Sequence, residues 1–133
     1  MSLDLAALDD AYLAFWRERH LCTLTTLRPD GTPHVVPVGA VFDPATGVAW
    51  VIASRSSRKV RNVLAYGPGG APAALCQVDR GRWATLEGRA RVRSEAETVG
   101  EAERRYAARY RPPRRNPERV AIEIAVTRAM GRG

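Results

Sequence analysis

The stretch Trp50-Val51-Ile52-Ala53-Ser54-Arg55-Ser56-Ser57-Arg58-Lys59-Val60-Arg61-Asn62-Val63-Leu64 changes its periodicity half-way along. Its first part reads as a strand, because Val51 and Ile52 are β-branched and Trp50 is aromatic, and such residues suit a pleated, half-buried surface. Its last part reads as a helix, because Val60, Val63 and Leu64 recur at i, i+3 and i+4. Between the two lie serines able to cap a helix and four cations within seven residues, Arg55, Arg58, Lys59 and Arg61. A helix start leaves backbone N–H groups unpaired and carries partial positive charge. Serine hydroxyls with Arg or Lys side chains at such a place make a site for a phosphate. The same residues also describe a solvated basic loop with an ordinary serine cap, and at this level both readings stand.

Outward from this stretch the chain reads mostly as short strands joined by turns. Upstream, residues 5–19 show a helical apolar face of Leu5, Leu8, Tyr12, Phe15 and Trp16. Leu21 to Leu27 reads as a strand, and Arg28-Pro29-Asp30-Gly31 as a turn in which proline presets φ and glycine permits positive φ. A second strand is expected from about Pro33 to Phe42, with Pro37 and Gly39 inside it marking an edge, a bulge or the close approach of a ligand. Asp43-Pro44-Ala45-Thr46-Gly47 turns the chain into the third strand, Val48 to Ser54.

Downstream, the helix of the opening stretch runs to about Tyr66, and Gly67-Pro68-Gly69-Gly70 is a loop. A fourth strand covers about Ala73 to Val78. The fifth, Arg82 to Arg93, alternates Ala84, Leu86, Gly88, Ala90 and Val92 against Thr85, Glu87, Arg89, Arg91 and Arg93. Ser94 and Glu97 are spaced as a capping box for a helix from about Glu95 to Arg109. The basic, proline-rich Arg111-Pro112-Pro113-Arg114-Arg115-Asn116-Pro117 stops that helix, and a sixth strand runs from Arg119 to Thr127. The order α-β-β-β-α-β-β-α-β with hairpin-length links predicts a mainly β (α+β) fold, a six-stranded antiparallel split β-barrel with peripheral helices, in one domain over residues 1–133. It argues against a parallel nucleotide-binding sheet, as does the lack of any GxGxxG motif.

Composition narrows the function classes. The net charge of +7 and pI near 10.4 favour an anionic partner. No helix-turn-helix, zinc-finger or RNP-type pattern accompanies the charge, so a nucleic-acid partner is not expected. Of the 21 cations only Lys59 is lysine, and it falls inside the candidate phosphate site. No apolar run approaches the ~20 residues of a membrane helix. The start, Met1-Ser2-Leu3-Asp4-Leu5, lacks a basic region before an apolar core, so no signal peptide and a cytoplasmic location are expected. The two cysteines, Cys22 and Cys76, sit in strand-like surroundings and read as buried free thiols. His20 and His34 read as structural, and no spacing of His, Cys, Asp and Glu suggests a metal site.

The order of elements and the motif together resemble the split-barrel flavin-binding superfamily of the pyridoxamine-5′-phosphate oxidase type. The matching residues are Ile52-Ala53-Ser54 leading to Ser57-Arg58-Lys59, preceded by Val35-Val36-Pro37-Val38-Gly39. Within it, the likeness is to the actinobacterial F420-dependent reductases of the B type, biliverdin-reductase branch. It is carried by Glu18-Arg19-His20-Leu21, Leu24-Thr25-Thr26-Leu27-Arg28, Pro33-His34-Val35-Val36, Gln77-Val78-Asp79, Arg82-Trp83, Leu86-Glu87-Gly88-Arg89-Ala90, Arg105-Tyr106, Arg109-Tyr110-Arg111 and Arg114 to Pro117.

The resemblance implies coenzyme F420 as cofactor, with FMN as the alternative. Ser54, Arg55, Ser57, Arg58 and Lys59 are expected at its phosphate. Val36, Pro37, Val38 and Ala53 are expected against its ring, and Gln77 and Trp83 near the ring or tail. It implies hydride transfer to a small-molecule acceptor, biliverdin giving bilirubin, with Arg111, Arg114 and Arg115 as candidates for the acceptor's propionates. It also implies a homodimer with the cofactor at the interface. No residue pattern suggests a general acid, so no catalytic side chain is assigned. Pyridoxamine phosphate oxidases continue into a C-terminal substrate-binding segment, whereas this sequence stops at Gly133, which argues against that activity. The rival expectations are an FMN-dependent oxidoreductase and a non-enzyme, either a flavin, haem or bilin carrier or a basic nucleic-acid binder.

Overall fold

The computed structural model describes residues 2–132. The elements are α1 (Asp10–Arg17), β1 (Cys22–Leu27), β2 (Pro33–Val38), β3 (Ala40–Asp43), β4 (Val48–Ser54), α2 (Arg58–Leu64), β5 (Ala71–Asp79), β6 (Arg82–Arg93), α3 (Ala96–Arg109) and β7 (Arg119–Arg132). The strands form one antiparallel sheet in the order β2-β1-β5-β6-β7-β4-β3. β2 and β3 stand at opposite edges of that sheet, yet only Gly39 separates them. The sheet must therefore curl until its two edges meet at Gly39, which is how the barrel closes.

The fold class agrees with the sequence reading, but there are seven strands rather than six. The single strand expected from Pro33 to Phe42 divides at Gly39, its first half pairing with β1 and its second with β4. Tertiary contact forces the break. A Cβ at Gly39 would lie 2.7 Å from the Tyr106 ring and 3.1 Å from that of Tyr110. The Tyr110 hydroxyl donates to the carbonyl of His20 (2.7 Å) and accepts from the amide of Ala40 (3.1 Å). The space beside Gly39 is thus filled by two tyrosines, not left open for a flat ring.

Other boundaries moved for local reasons. α1 begins at Asp10 rather than near Leu5, because the Asp9 carboxylate caps it by accepting from the Tyr12 amide at 2.8 Å. The capping box at Ser94 does not form. Glu95 occupies the cap position without a side-chain bond, and the Ser94 amide donates to the Glu95 carboxylate instead (3.1 Å). β7 continues to Arg132, past the expected end at Thr127, because β6 goes on pairing with it beyond the end of β4 and across a bulge at Glu87/Gly88.

The inward faces alternate as the period-2 pattern requires. Leu24, Val51, Leu75, Ala84, Leu86, Ala90, Val120, Ile122 and Ile124 are buried inside the barrel, with Phe15 and Trp16 of α1 and Val60 and Val63 of α2 packed on the same cluster. Cys22 is a buried free thiol, and Cys76 is free and half-buried. No helix among the described residues is long and apolar enough to cross a membrane.

Candidate functional site

A cleft of about 490 Å³ opens where the barrel closes. The β2–β3 crossing supplies Pro37, Val38 and Gly39, and the end of β4 supplies Ile52, Ala53 and Ser54. Lys59, in the first turn of α2, stands on one wall. The opposite wall is Tyr106 near the end of α3, the loop after it (Arg111, Pro112, Pro113, Arg114, Asn116) and Arg119 at the start of β7. The result is an apolar floor with cationic walls, and no His, Cys, Asp or Glu lines it.

The loop is stapled to the end of β4. Asn116 Nδ2 donates to Ser54 Oγ at 2.8 Å, and the Arg55 amide donates to the Glu118 carbonyl at 2.9 Å. Ser57 Oγ donates to the Ser54 carbonyl at 2.7 Å. The Ser57 hydroxyl therefore fixes the strand-to-helix bend and makes no cap bond to α2. The exit of β4 is rigid for a local reason: three short polar side chains, Ser54, Ser57 and Asn116, spend their hydrogen bonds on one another and on backbone.

The cations around the cleft differ in their partners. Arg119 is held by Glu103 at 2.8 Å, and Arg55 faces Glu118 at 3.6 Å. Lys59, Arg111 and Arg114 form no salt bridge among the described residues. Lys59 is half-buried, and desolvation pushes its ammonium below the ordinary lysine value. A desolvated, unpartnered ammonium on the wall of a cleft gains from an anion what a solvated surface lysine does not, since its attraction is less screened.

Of the residues singled out from sequence, Pro37, Val38, Ala53, Ser54, Lys59, Arg111 and Arg114 come together in this cleft. Ser57 and Arg58 flank Lys59, with Arg58 exposed, and Val36 is half-buried one residue before Pro37 and packs on the core. Arg115 is exposed outside the lining, and Arg55 is turned to Glu118.

Gln77 and Trp83 do not join the cleft. Gln77 is 1% exposed inside the barrel, donating to the Phe15 carbonyl (3.1 Å) and accepting from Arg109 (2.7 Å). Trp83 is 39% exposed at the start of β6, opposite Val78 and Arg132 in the ladder. Sequence reasoning missed Tyr106, Asn116 and Arg119 as site residues. Asn116 carried a signal, an Asn-Pro step closing a basic loop, whereas nothing local marks Tyr106 or Arg119 as neighbours of β4.

One polar cluster lies apart. Glu18, His20 and Asp79 bring ligand atoms within 4.8 Å of one another, a grouping their sequence spacing did not suggest. Arg82 already bonds both carboxylates, at 2.9 Å to Glu18 and 2.6 Å to Asp79. His20 Nε2 lies 3.0 Å from Glu18 Oε1. The cluster is a neutralised ion network.

A family model described as pyridoxamine 5′-phosphate oxidase matches residues 8–132. The chain belongs to the pyridoxamine 5′-phosphate oxidase family. Among its relatives, the F420H2-dependent biliverdin reductase of Mycobacterium tuberculosis is 52% identical over 124 residues, which cover 93% of this chain and 88% of that protein. Two solved structures share the fold. A conserved hypothetical protein of M. tuberculosis superposes with a TM-score of 0.74 at 23% identity, covering 94% of this chain and 84% of its own. An F420 reductase superposes with a TM-score of 0.70 at 22% identity, covering 92% and 98%. The family match agrees with the mainly β, pyridoxamine 5′-phosphate oxidase type of fold read from the sequence, and of the run Ala53 to Lys59 the cleft is lined by Ala53, Ser54 and Lys59.

Proposed function

We propose that this protein is an F420H2-dependent reductase, with biliverdin as its acceptor. The observation that carries the proposal is the 52% identity to a biliverdin reductase of that dependence along nearly the whole chain. The cleft fits the cofactor on its own chemistry. Lys59 is an ammonium in want of an anion, and the floor of Pro37, Val38, Ile52 and Ala53 is apolar and flanked by backbone.

In this reading Lys59 holds the cofactor phosphodiester, with Arg58 and Ser57 beside it. Pro37, Val38 and Ala53, with the backbone of Val36, support the flat ring. When bound, reduced F420 supplies a hydride to the central methine carbon of biliverdin, and a proton completes bilirubin. Arg111 and Arg114 hold the acceptor's two propionates by charge-assisted hydrogen bonds and set the acceptor against the ring. Arg115 lies within the same basic segment and adds to the attraction. Pro112 and Pro113 stiffen the arm that carries these arginines and cover the cleft from that side. Lys59, the lining side chain that carries a transferable proton most readily, is committed to the phosphodiester in this reading, so the chain contributes binding, orientation and charge, and the proton comes from solvent.

We further infer that the protein works in the cytoplasm as a homodimer. Leu21, Val35, Val78 and Trp83 are exposed large apolar side chains, and burying a surface that contains them favours association.

The experiment is anaerobic mixing of the protein, reduced F420 and biliverdin. The expected result is oxidation of one F420H2 for each bilirubin formed. Oxidation with another acceptor but not biliverdin overturns the substrate, and turnover with FMN alone overturns the cofactor.

A further inference from the structure

The cleft accounts for Lys59 but not for the charges behind it. His34 on β2 faces Thr26 across the β1–β2 ladder. Thr26 Oγ1 accepts from Asn62 Nδ2 of α2 at 3.0 Å. Arg58 and Lys59 precede Asn62 by four and three positions, so the three share one side of the helix. On the other flank, Arg28 Nη1 donates to the carbonyl of Pro33, the neighbour of His34, at 2.7 Å. Arg28 of the hairpin turn and Arg58 and Lys59 of the helix are the cations whose charge acts on this imidazole.

The groups facing His34 are Arg28 from the turn, Arg58 and Lys59 from α2, and the Thr26 hydroxyl from β1. The one carboxylate of that turn, Asp30, is occupied by the amide and hydroxyl of Thr32, at 3.0 and 2.6 Å. Within this setting His34 Nδ1 and Asn62 Oδ1 are both buried without a hydrogen-bond partner. Desolvation first, then Arg28, Lys59 and Arg58, hold the imidazole below its ordinary value.

We propose that His34 is a proton-binding member of the anion anchor: a polyanion laid along Lys59, Arg58 and Arg28 neutralises the cations around the imidazole, and His34 takes up one proton from solvent and becomes a further cationic contact. This rests on the coenzyme reading above. It also gives the anionic chain of the coenzyme a course, from Lys59 toward the β1–β2 turn and away from Arg55, whose guanidinium already faces Glu118 at 3.6 Å. The linkage has a fixed sign. A ligand that raises the imidazole value binds more tightly as pH falls, by on the order of tenfold for each unit of that rise.

The chain has two histidines, so imidazole nitrogen signals in NMR assign by comparison with a His34→Gln variant. Two probes are used, coenzyme F420 and sucrose octasulfate, a polyanion whose own charge does not change across the range. Affinities are measured near pH 8 and near pH 5.5, on either side of an ordinary histidine. Each saturating probe is expected to raise the titration point of His34. His34→Gln is expected to match the wild type near pH 8 and to lose the tightening near pH 5.5. If F420 binds while His34 keeps its free titration, the proposal falls and the coenzyme reading stands. If octasulfate raises His34 but F420 does not bind, the anchor stands and the coenzyme reading falls. A His34→Gln variant with the wild-type pH profile for both probes overturns the proposal.

Discussion

Arg109 is the residue through which the cleft depends on the rest of the fold. The residue is 8% exposed and forms no salt bridge among the described residues. Its Nε donates to the Glu18 carbonyl (2.7 Å), Nη1 to the Ala40 carbonyl (2.6 Å) and Nη2 to Gln77 Oε1 (2.7 Å). These acceptors belong to the exit of α1, the start of β3 and the middle of β5. One side chain therefore ties the end of α3 to the seam where the barrel closes, and the next residues are the arm of Arg111 to Arg114.

The Arg109→Met change keeps an apolar stem against the rings of Trp16 and Tyr110, which lie 5.6 and 5.2 Å from the guanidinium carbon. Each hydrogen bond from a charged donor is worth about 1.5–3 kcal/mol. Relief from burying a cation without a counter-charge offsets several kcal/mol of their sum. The net loss is then about 3 kcal/mol, or a fall in Tm on the order of 10 °C at this chain length. Guanidinium chloride unfolding measures it, with an unchanged m-value to show that the unfolded reference is the same. Arg109→Lys, able to reach one or two of the same acceptors, is expected to fall between the two. A loss under about 1 kcal/mol for Arg109→Met would mean that desolvation cancels the bonds and that the arm is held by other contacts.

Three further outcomes are expected. Lys59→Ala should weaken F420 binding by roughly ten- to a hundredfold, the worth of a charge-assisted contact, while Tm stays level because the ammonium has no partner to lose; equilibrium binding and a thermal melt check both. Gly88→Ala should destabilise strongly, by about 3 kcal/mol or more, because a Cβ there would run into the Ala125 carbonyl at the β6–β7 bulge; circular dichroism during denaturant unfolding reads it. Arg82 first, then His20, pull the Glu18 carboxyl from 4.5 down to about 2. The stability this carboxylate contributes is present above its unfolded value and is lost as pH falls through about 2. Glu18→Gln should therefore make Tm fall less steeply over that acid range, while an unchanged slope would contradict the ion network.

Much of the fold was legible because periodicity reports faces. The alternation of β6, the strand-to-helix change between Ser54 and Arg58, and the hairpin turns at Gly31 and Gly47 all stand where the residues put them. Periodicity does not report edges. Nothing in Pro33 to Phe42 says that its halves pair with strands at opposite ends of the sheet, and the deciding contact, Tyr106 and Tyr110 against Gly39, comes from far along the chain. The same limit explains the site. Lys59, Pro37, Val38 and Ala53 were readable because strand, turn and helix place them locally. Gln77 reads as a polar side chain free to face a ligand, but Arg109, 32 residues away, claims its oxygen. Trp83 reads as an aromatic near a ring, but its strand position turns it outward.

A crystal structure with oxidised F420 decides whether the Lys59 cleft is the cofactor site. The phosphodiester is expected beside Lys59 and Ser57, the ring over Pro37, Val38 and Ala53, and the acidic tail directed toward His34 and Arg28. A ring lodged in the outer groove of about 340 Å³ lined by Thr25, Leu27, Ala74 and Glu87, with Lys59 left free, would contradict it.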